Sequence, residues 1–194
     1  MASETTHSTP NHDVVLVVDF GAQYAQLIAR RVREAHVYSE IVSHRVTAAE
    51  VVAKGARAII LSGGPKSVHI EGSPVLDPAI YDLGIAILGI CYGCQLVAQQ
   101  LGGTVSRGGR GEYGRATVER SATASTLLSS ETPQQFNVWM SHFDAVTELP
   151  EGFVATASTA DAPMAVIENT SRRIFGVQCQ SKNAEEDLAR NQCA

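Results

Sequence analysis

Basic side chains, long apolar runs and cysteines are all scarce in this sequence. The 194 residues carry 15 Lys and Arg against 20 Asp and Glu, and this net charge of -5 does not favour nucleic acid or an anionic membrane as a partner. No apolar run approaches the length of a membrane span. The first 13 residues are polar and lack the basic and apolar regions of a secretory leader, so we expect a flexible tail there.

Cysteine usage bears on the cellular compartment. The four cysteines, two of them in one short motif, do not have the pattern of a secreted disulfide scaffold. We therefore expect a reducing cytoplasm. The composition is 44% hydrophobic and 18% charged, which is typical of a globular domain. Without repeats or a linker, the chain is expected to form one domain over residues 14–178, followed by an atypical tail at 179–194.

Apolar strand-like runs alternate with helical segments through the first half of the chain. The pattern predicts strands at 14–20, 38–42, 56–61 and 85–90, and helices at 22–35, from 47, around 74–83 and at 92–101. This alternation is typical of an open, mostly parallel, doubly wound α/β sheet. The second half contains short strand-like pieces, which predict antiparallel strands extending or flanking that sheet, at 114–119, 136–141, 153–158, 164–168 and 173–178.

The stretch GICYGC, residues 89–94, stands between a predicted strand and a predicted helix. Strand, G-x-C-x-G and helix is the cysteine form of a nucleophile elbow, in which Gly89 and Gly93 prevent collisions at a sharp turn. Cys91 would stand at a helix N-terminus, where the positive end of the helix dipole favours thiolate. Ser62-Gly63-Gly64-Pro65 also follows a strand, so we expect its backbone N–H groups at the same edge of the sheet. Together these parts suit acyl transfer through a thioester.

The motif alone is also compatible with two other functions of the cysteines, a redox pair and a metal site. Cys91 and Cys94 form a C-x-x-C at a helix start, as in thiol–disulfide oxidoreductases. A thioredoxin-like fold, however, places that pair early in a small domain, whereas three βα units precede it here. A metal site has less support, because Cys179 and Cys193 do not form a second C-x-x-C. The nucleophile is the favoured reading.

The chain resembles the class I (triad) glutamine amidotransferases and, more narrowly, the glutaminase domains of GMP synthases. The first of the matching segments resembles the GMP synthase branch, and the others resemble the wider family. These segments are DFGAQYAQLIARRVRE (19–34), LSGGPKSV (61–68), GICYGCQLVAQQLGG (89–103), VWMSH (138–142) and IFGVQ (174–178). The resemblance implies a flavodoxin-like fold.

The resemblance also implies a reaction. Cys91 would attack the side-chain amide of glutamine to give a glutamyl thioester and release ammonia, with the backbone amides of Gly64 and Tyr92 as the oxyanion hole. In GMP synthases the ammonia passes to an ATP-pyrophosphatase domain that converts XMP to GMP. These 194 residues contain no S-G-G-V-D-S type pyrophosphate loop. No cofactor is therefore expected in this chain, and ATP and Mg²⁺ are expected only in a separate synthetase domain or subunit.

The same resemblance implies residues that hold the substrate glutamine. They are Gly63, Gln95, Ser141, His142 and Phe143. The last of these departs from the family pattern S-H-G-D, in which a glycine lets the backbone approach the substrate. A phenyl ring at this position would either occupy the glutamine pocket or turn outward, and the sequence leaves that choice open.

The triad partners depart from the family pattern as well. The family continues its last strand with F-H-P-E, and this chain has Cys179-Gln180-Ser181-Lys182 instead. Gln180 stands in place of the histidine base and Lys182 in place of the glutamate that orients it. Glutamine cannot accept a proton from a thiol, and lysine cannot orient a base as a carboxylate does. His142 is the best-placed substitute base by sequence, but a structural role suits it better.

The sequence therefore supports two hypotheses. In the first, the chain is a GMP-synthase-type glutaminase domain whose turnover is impaired at positions 180 and 182. In the second, it is a catalytically dead copy that binds glutamine or a synthetase partner without hydrolysis. Tight glutamine binding without turnover would distinguish the second from the first.

Overall fold

The structure is a computed structural model that describes residues 13–64 and 67–179, with the backbone alone at 108–110. The helices of this part are α1 (Tyr24–Glu34), α2 (Ala48–Ala53), a 3₁₀ helix (Pro78–Asp82) and α3 (Tyr92–Gln100). The strands are β1 (Val14–Asp19), β2 (Tyr38–Ser43), β3 (Ala56–Leu61), β4 (Ala86–Ile90), β5 (Thr104–Arg120), β6 (Gln135–Glu148), β7 (Val154–Ser158), β8 (Val166–Asn169) and β9 (Ile174–Val177).

All nine strands form one mixed sheet in the order β2-β1-β3-β4-β9-β8-β7-β5-β6. The half from β2 to β9 is parallel, and the half from β9 to β6 is antiparallel. The predicted fold class, an α/β sheet extended by antiparallel strands, is thus confirmed. The predicted capping box at the start of α2 is also present, because the Thr47 hydroxyl and the Glu50 carboxylate each accept from the other residue's backbone N–H.

The two faces of the parallel half are covered unequally. One face, with Leu16, Ile59 and Ile87, is fully buried in a core shared with α2, the 3₁₀ helix and α3. On the opposite face α1 packs its alanines over Val17. Toward β4 and β9 that face is only half-buried in the part of the chain that the structure describes, and it borders an apolar cavity of about 560 Å³ against α1.

Four sequence-based assignments differ from the structure. The strands predicted at 114–119 and 136–141 extend to Thr104–Arg120 and Gln135–Glu148, because β5 and β6 pair with each other along most of their length. The segment around 74–83 forms only the short 3₁₀ helix, in which Asp77 accepts from the backbone N–H of Ala79 at 3.1 Å and a proline occupies the first turn. The sequence pattern predicts an antiparallel strand at 173–178. The observed strand β9 pairs antiparallel with β8 but parallel with β4, because apolar residues on both faces let it lie at the centre of the sheet.

A buried carboxylate fastens the loop after β5 to the antiparallel half. Glu168 on β8 accepts hydrogen bonds from the Ser125 hydroxyl, from the Thr126 backbone N–H at 2.7 Å and from the Thr156 hydroxyl at 3.0 Å. Burial alone would raise the pKa of Glu168, but these donors outweigh it and hold the pKa below its usual value. The ionised form is therefore a structural element of the loop.

We expect Glu168→Gln to lower the free energy of unfolding at pH 7 by about 2 kcal/mol, because its NH₂ group faces donors rather than acceptors. A lowered folded-state pKa contributes stability above the unfolded pKa and loses it as the pH falls through the folded value. The deficit should therefore shrink in acid. Urea unfolding at several pH values measures it, with the exposed Glu119→Gln as a control expected near zero. An equal, pH-independent loss in both variants would contradict this role.

Within the described residues, the structure contains no helix that is both long and apolar enough to cross a membrane.

Candidate functional site

The site is built around a strained turn between β4 and α3. Cys91 has φ 50° and ψ -107°, a backbone conformation that few residues other than glycine adopt. Its backbone N–H donates to the carbonyl of Val177 at 2.8 Å, and its carbonyl accepts from the N–H of Gln95 at 3.1 Å. Hydrogen bonds from β9 and α3 thus hold the residue in the conformation of a nucleophile elbow.

Two glycines make this turn possible. A Cβ atom at Gly89 would lie 2.5 Å from the carbonyl oxygen of Gly93, and one at Gly93 would lie 2.4 Å from that of Leu61. Both contacts are with backbone, which cannot move aside as a flexible side chain can. The prediction that side chains at positions 89 and 93 would collide with the neighbouring elements is confirmed.

The Cys91 thiol lies close to the end of β9. It is 7% exposed, and its Sγ donates a hydrogen bond to the carbonyl of Gln178 at 3.1 Å. A carbonyl oxygen can accept this proton only as a hydrogen bond, so the contact stabilises the thiol over the thiolate. The helix N-terminus acts in the opposite direction. A base that can remove the proton would therefore raise the fraction of reactive thiolate.

The glycine-rich loop after β3 lies beside this turn, as predicted. A Cβ atom at Gly63 would lie 4.0 Å from the Cβ of Cys91, and one at Gly64 would lie 2.9 Å from the ring of Tyr92. The carbonyl of Ser62 accepts from the N–H of Gly93 at 3.2 Å and joins the loop to α3. The loop is therefore placed where its backbone can approach a molecule bound at Cys91.

Gln95 lies one helical turn after the cysteine and is buried. Its Nε2 donates to the carbonyl of Asp144 on β6 at 2.7 Å and to Oε1 of Gln178 at 3.2 Å. This side chain ties α3 to β6 and to the residue that follows β9. A role in binding glutamine stays a prediction.

Along β6, the side chains at 141–143 alternate between the surface and the interior. His142 is buried, with Nδ1 3.0 Å from the carbonyl of Asp144 and Nε2 3.3 Å from the Glu112 carboxylate, which also accepts from the hydroxyl of Thr159. Both ring nitrogens thus have partners other than Cys91. The structural role expected for this histidine agrees with these contacts.

Phe143 points outward in the structure. Its side chain is 41% exposed, and the guanidinium carbon of Arg107 lies 5.2 Å from the ring centroid. Ser141, its neighbour but one, is exposed as well. The contact with Arg107 favours the outward choice that the sequence left open.

Cys94 is a core residue. It is fully buried, and a Cβ atom at Gly176 of β9 would lie 2.7 Å from its sulfur. Burial, together with the nearby Cys91 and Cys179 sulfurs, raises the pKa of the Cys94 thiol well above its usual range. Among the described residues, no group of three or more His, Cys, Asp or Glu side chains could hold a metal ion.

Sequence reasoning missed two polar side chains beside the turn. Gln178 and Asp144 are buried, and among the described residues neither Nε2 of Gln178 nor Oδ1 of Asp144 has a hydrogen-bond partner. Gln178 ends the motif IFGVQ and Asp144 stands at the aspartate of the S-H-G-D pattern, but a motif does not reveal burial. Gln180 and Lys182, the positions of the replaced triad partners, lie outside the described residues.

The fold and the turn together define a class, the doubly wound α/β proteins that carry a cysteine on a nucleophile elbow. A model of the family "Glutamine amidotransferase class-I" matches residues 16–179. The chain belongs to this class I glutamine amidotransferase family.

Within this family, the chain is highly similar to curated GMP synthases. The chain is 58% identical over 166 residues to a GMP synthase [glutamine-hydrolyzing] of Thermobifida fusca (strain YX), which covers 86% of this chain and 31% of the relative. A GMP synthase [glutamine-hydrolyzing] of Corynebacterium glutamicum (strain R) is 56% identical over 168 residues, covering 87% and 32%. The chain spans about a third of the length of these relatives.

Solved structures agree with the fold. A Thermoplasma acidophilum protein described as a GMP synthase subunit matches with a TM-score of 0.77 at 28% identity, over 89% of this chain and 85% of that one. A glutamine amidotransferase of Thermotoga maritima matches with a TM-score of 0.66 at 19% identity, over 95% and 87%. The second likeness concerns the fold alone.

Proposed function

We propose that this chain is a glutamine-hydrolysing domain of the GMP synthase type, with Cys91 as its nucleophile. The observation that carries the proposal is the turn itself, which holds a cysteine in a strained conformation beside the glycine loop at 62–64. The Cys91 sulfur would add to the carboxamide carbon of glutamine while the thiol proton passes to the amide nitrogen, so that ammonia leaves as the glutamyl thioester forms. Water would then release glutamate and regenerate the thiol.

The backbone N–H groups of Gly64 and Tyr92 are the proposed oxyanion donors. The contact of Gly64 with the Tyr92 ring supports their closeness, and Tyr92 opens α3 at the positive end of its dipole. The proposed contacts to the substrate are those of Gly63, Gln95 and the 141–143 segment. Because the phenyl ring at 143 points outward, this segment would contribute chiefly backbone.

The proposed destination of the ammonia is a synthetase domain or subunit that converts XMP to GMP. The similarity to GMP synthases about three times as long as this chain supports such a partner. ATP and Mg²⁺ would act in that partner. We propose no cofactor for the cysteine chemistry itself and a cytoplasmic location for both.

The replaced triad positions support a second candidate, a domain that binds glutamine without efficient turnover. Gln180 cannot act as the base, and Lys182 cannot orient a base as a carboxylate does. His142 has its own partners on β5 and β6. Loss of a triad base lowers the rate by roughly 10⁴- to 10⁶-fold in comparable enzymes.

Glutamate release from glutamine separates the two candidates. We expect the purified chain, with and without a GMP synthetase subunit, to hydrolyse glutamine at least about 10⁴-fold more slowly than a homologous domain with a complete triad. We expect Cys91→Ser to abolish the remainder. Release that survives in Cys91→Ser would contradict the thioester mechanism, and saturable glutamine binding without release would favour the second candidate.

A further inference from the structure

Two cysteines lie at the ends of adjacent parallel strands. β4 and β9 run in register, with Ile90 opposite Val177, so the residues that follow them emerge side by side. Cys91 follows β4 directly, and Cys179 comes two residues after β9. The second of these cysteines stands where the family pattern has phenylalanine, so no family role accounts for it.

The hydrogen bond from Cys91 limits the separation of the two residues. Its Sγ lies 3.1 Å from the carbonyl oxygen of Gln178. In a trans peptide that oxygen is about 2.8 Å from the next Cα, so the sulfur lies within about 6 Å of the Cα of Cys179. In a disulfide, the path from one sulfur to the partner's Cα consists of the S–S bond of about 2.05 Å and the S–Cβ and Cβ–Cα bonds, so the Cys91 sulfur lies near the reach of a bond to Cys179. Formation of the bond requires rotation of the two side chains and movement of the bend at 178–179.

We propose that Cys91 and Cys179 form a reversible disulfide when the protein meets a hydroperoxide, and that this bond blocks the nucleophile. The proposal rests on the geometry of the two strand ends. It therefore holds whether or not the chain hydrolyses glutamine.

The other described cysteine is a poor partner. Cys94 is fully buried, and its sulfur packs against Gly176 between α3 and β9. A disulfide to Cys91 would pull this sulfur out of a filled core position. Cys179, by contrast, is half-buried and lines the apolar cavity of about 560 Å³ between α1 and the sheet, together with Gly63 and Ile90. A small uncharged oxidant such as hydrogen peroxide can enter this cavity as far as Cys179 and Gly63, and Gly63 adjoins Cys91.

The disulfide forms in two steps. The Cys91 thiolate attacks one peroxide oxygen, which gives a sulfenic acid and releases water after proton uptake. The Cys179 sulfur then attacks the sulfenic sulfur, and the hydroxyl leaves as water with the Cys179 proton. Two thiols lose two hydrogens and one peroxide becomes two waters. Burial raises the pKa of Cys179 to about 11, so this residue keeps its proton until the second step.

Peptide mapping tests the proposal. Trypsin cleavage gives one peptide with Cys91 and Cys94 (67–107), one with Cys179 (174–182) and one with Cys193 (191–194). After treatment of the folded chain with hydrogen peroxide and alkylation of free thiols, we expect peptides 67–107 and 174–182 to be joined, with a loss of two hydrogens. Dithiothreitol should separate them, because a disulfide is reduced by thiol exchange.

Cysteine variants identify which residues form the disulfide. We expect Cys94→Ala and Cys193→Ala to keep it, and Cys179→Ala to lower its yield at least about tenfold while Cys91 proceeds to sulfinic acid. Cys179→Ser replaces it if the alanine variant does not fold. A link from Cys91 to Cys94 or Cys193, or equal sulfinic acid formation with and without Cys179, would overturn the proposal.

Discussion

Replacement of Gln180 by histidine together with Lys182 by glutamate raises the rate of glutamine hydrolysis by about 10³- to 10⁴-fold over the parent chain. An imidazole can remove the Cys91 proton, which the carbonyl of Gln178 otherwise holds in a hydrogen bond. The imidazolium then returns a proton to the departing ammonia. A carboxylate beside the ring fixes its tautomer and stabilises its charge. Steady-state glutamate release measures the gain in kcat.

The two substitutions have unequal effects. We expect Gln180→His alone to raise the rate by roughly 10- to 100-fold and Lys182→Glu alone to give no gain, because a carboxylate without a histidine has nothing to orient. Removal of the orienting carboxylate costs less than removal of the base in comparable triads, by roughly 10- to 100-fold. Cys91→Ser in the doubly substituted chain is the control and should return the rate to background.

A folded double variant without any gain would contradict this expectation. It would mean that the chain after Cys179 does not return to Cys91. The loss of activity would then lie in the path of the backbone rather than in two side chains. Circular dichroism and the alkylation rate of Cys91 confirm that such a variant keeps the fold and the turn.

Substitution of Gly93 by alanine lowers the free energy of unfolding by about 3 kcal/mol. The added methyl group would lie 2.4 Å from the carbonyl oxygen and 2.7 Å from the Cβ of Leu61, so β3 and α3 must separate. Helix propensity alone predicts the opposite sign, because alanine is favoured over glycine by about 1 kcal/mol within a helix. The sign of the change therefore distinguishes close packing from propensity. Urea unfolding monitored by fluorescence measures it.

Gly63→Ala is the matched control for this stability measurement. Its added methyl group would meet Tyr24 at 3.7 Å and Cys91 at 4.0 Å, which are ordinary contact distances. We expect a change in unfolding free energy below about 1 kcal/mol. Similar losses in both variants, or a stabilised Gly93→Ala, would contradict the packing explanation of the G-x-C-x-G motif.

Local sequence signals were reliable where one physical requirement dominates. The apolar run ARAIIL has the limits of β3, and the Thr47–Glu50 capping box starts α2 as expected. Hydrophobic periodicity and capping act over a few residues, so a sequence displays them directly. The place of β9 beside β4 was not predicted, because strand order depends on contacts between residues about 90 positions apart.

The sequence alone determined the α/β class, the glycine-flanked turn and the replacement of the triad base by Gln180, because each follows from residue identity and local pattern. The tertiary structure alone decided that Cys94 is core, that Phe143 faces Arg107, and that Cys179 lies beside Cys91. Burial and closeness between distant residues arise only when the strands assemble in one order and register. They set the chemistry of these side chains, which residue type alone does not.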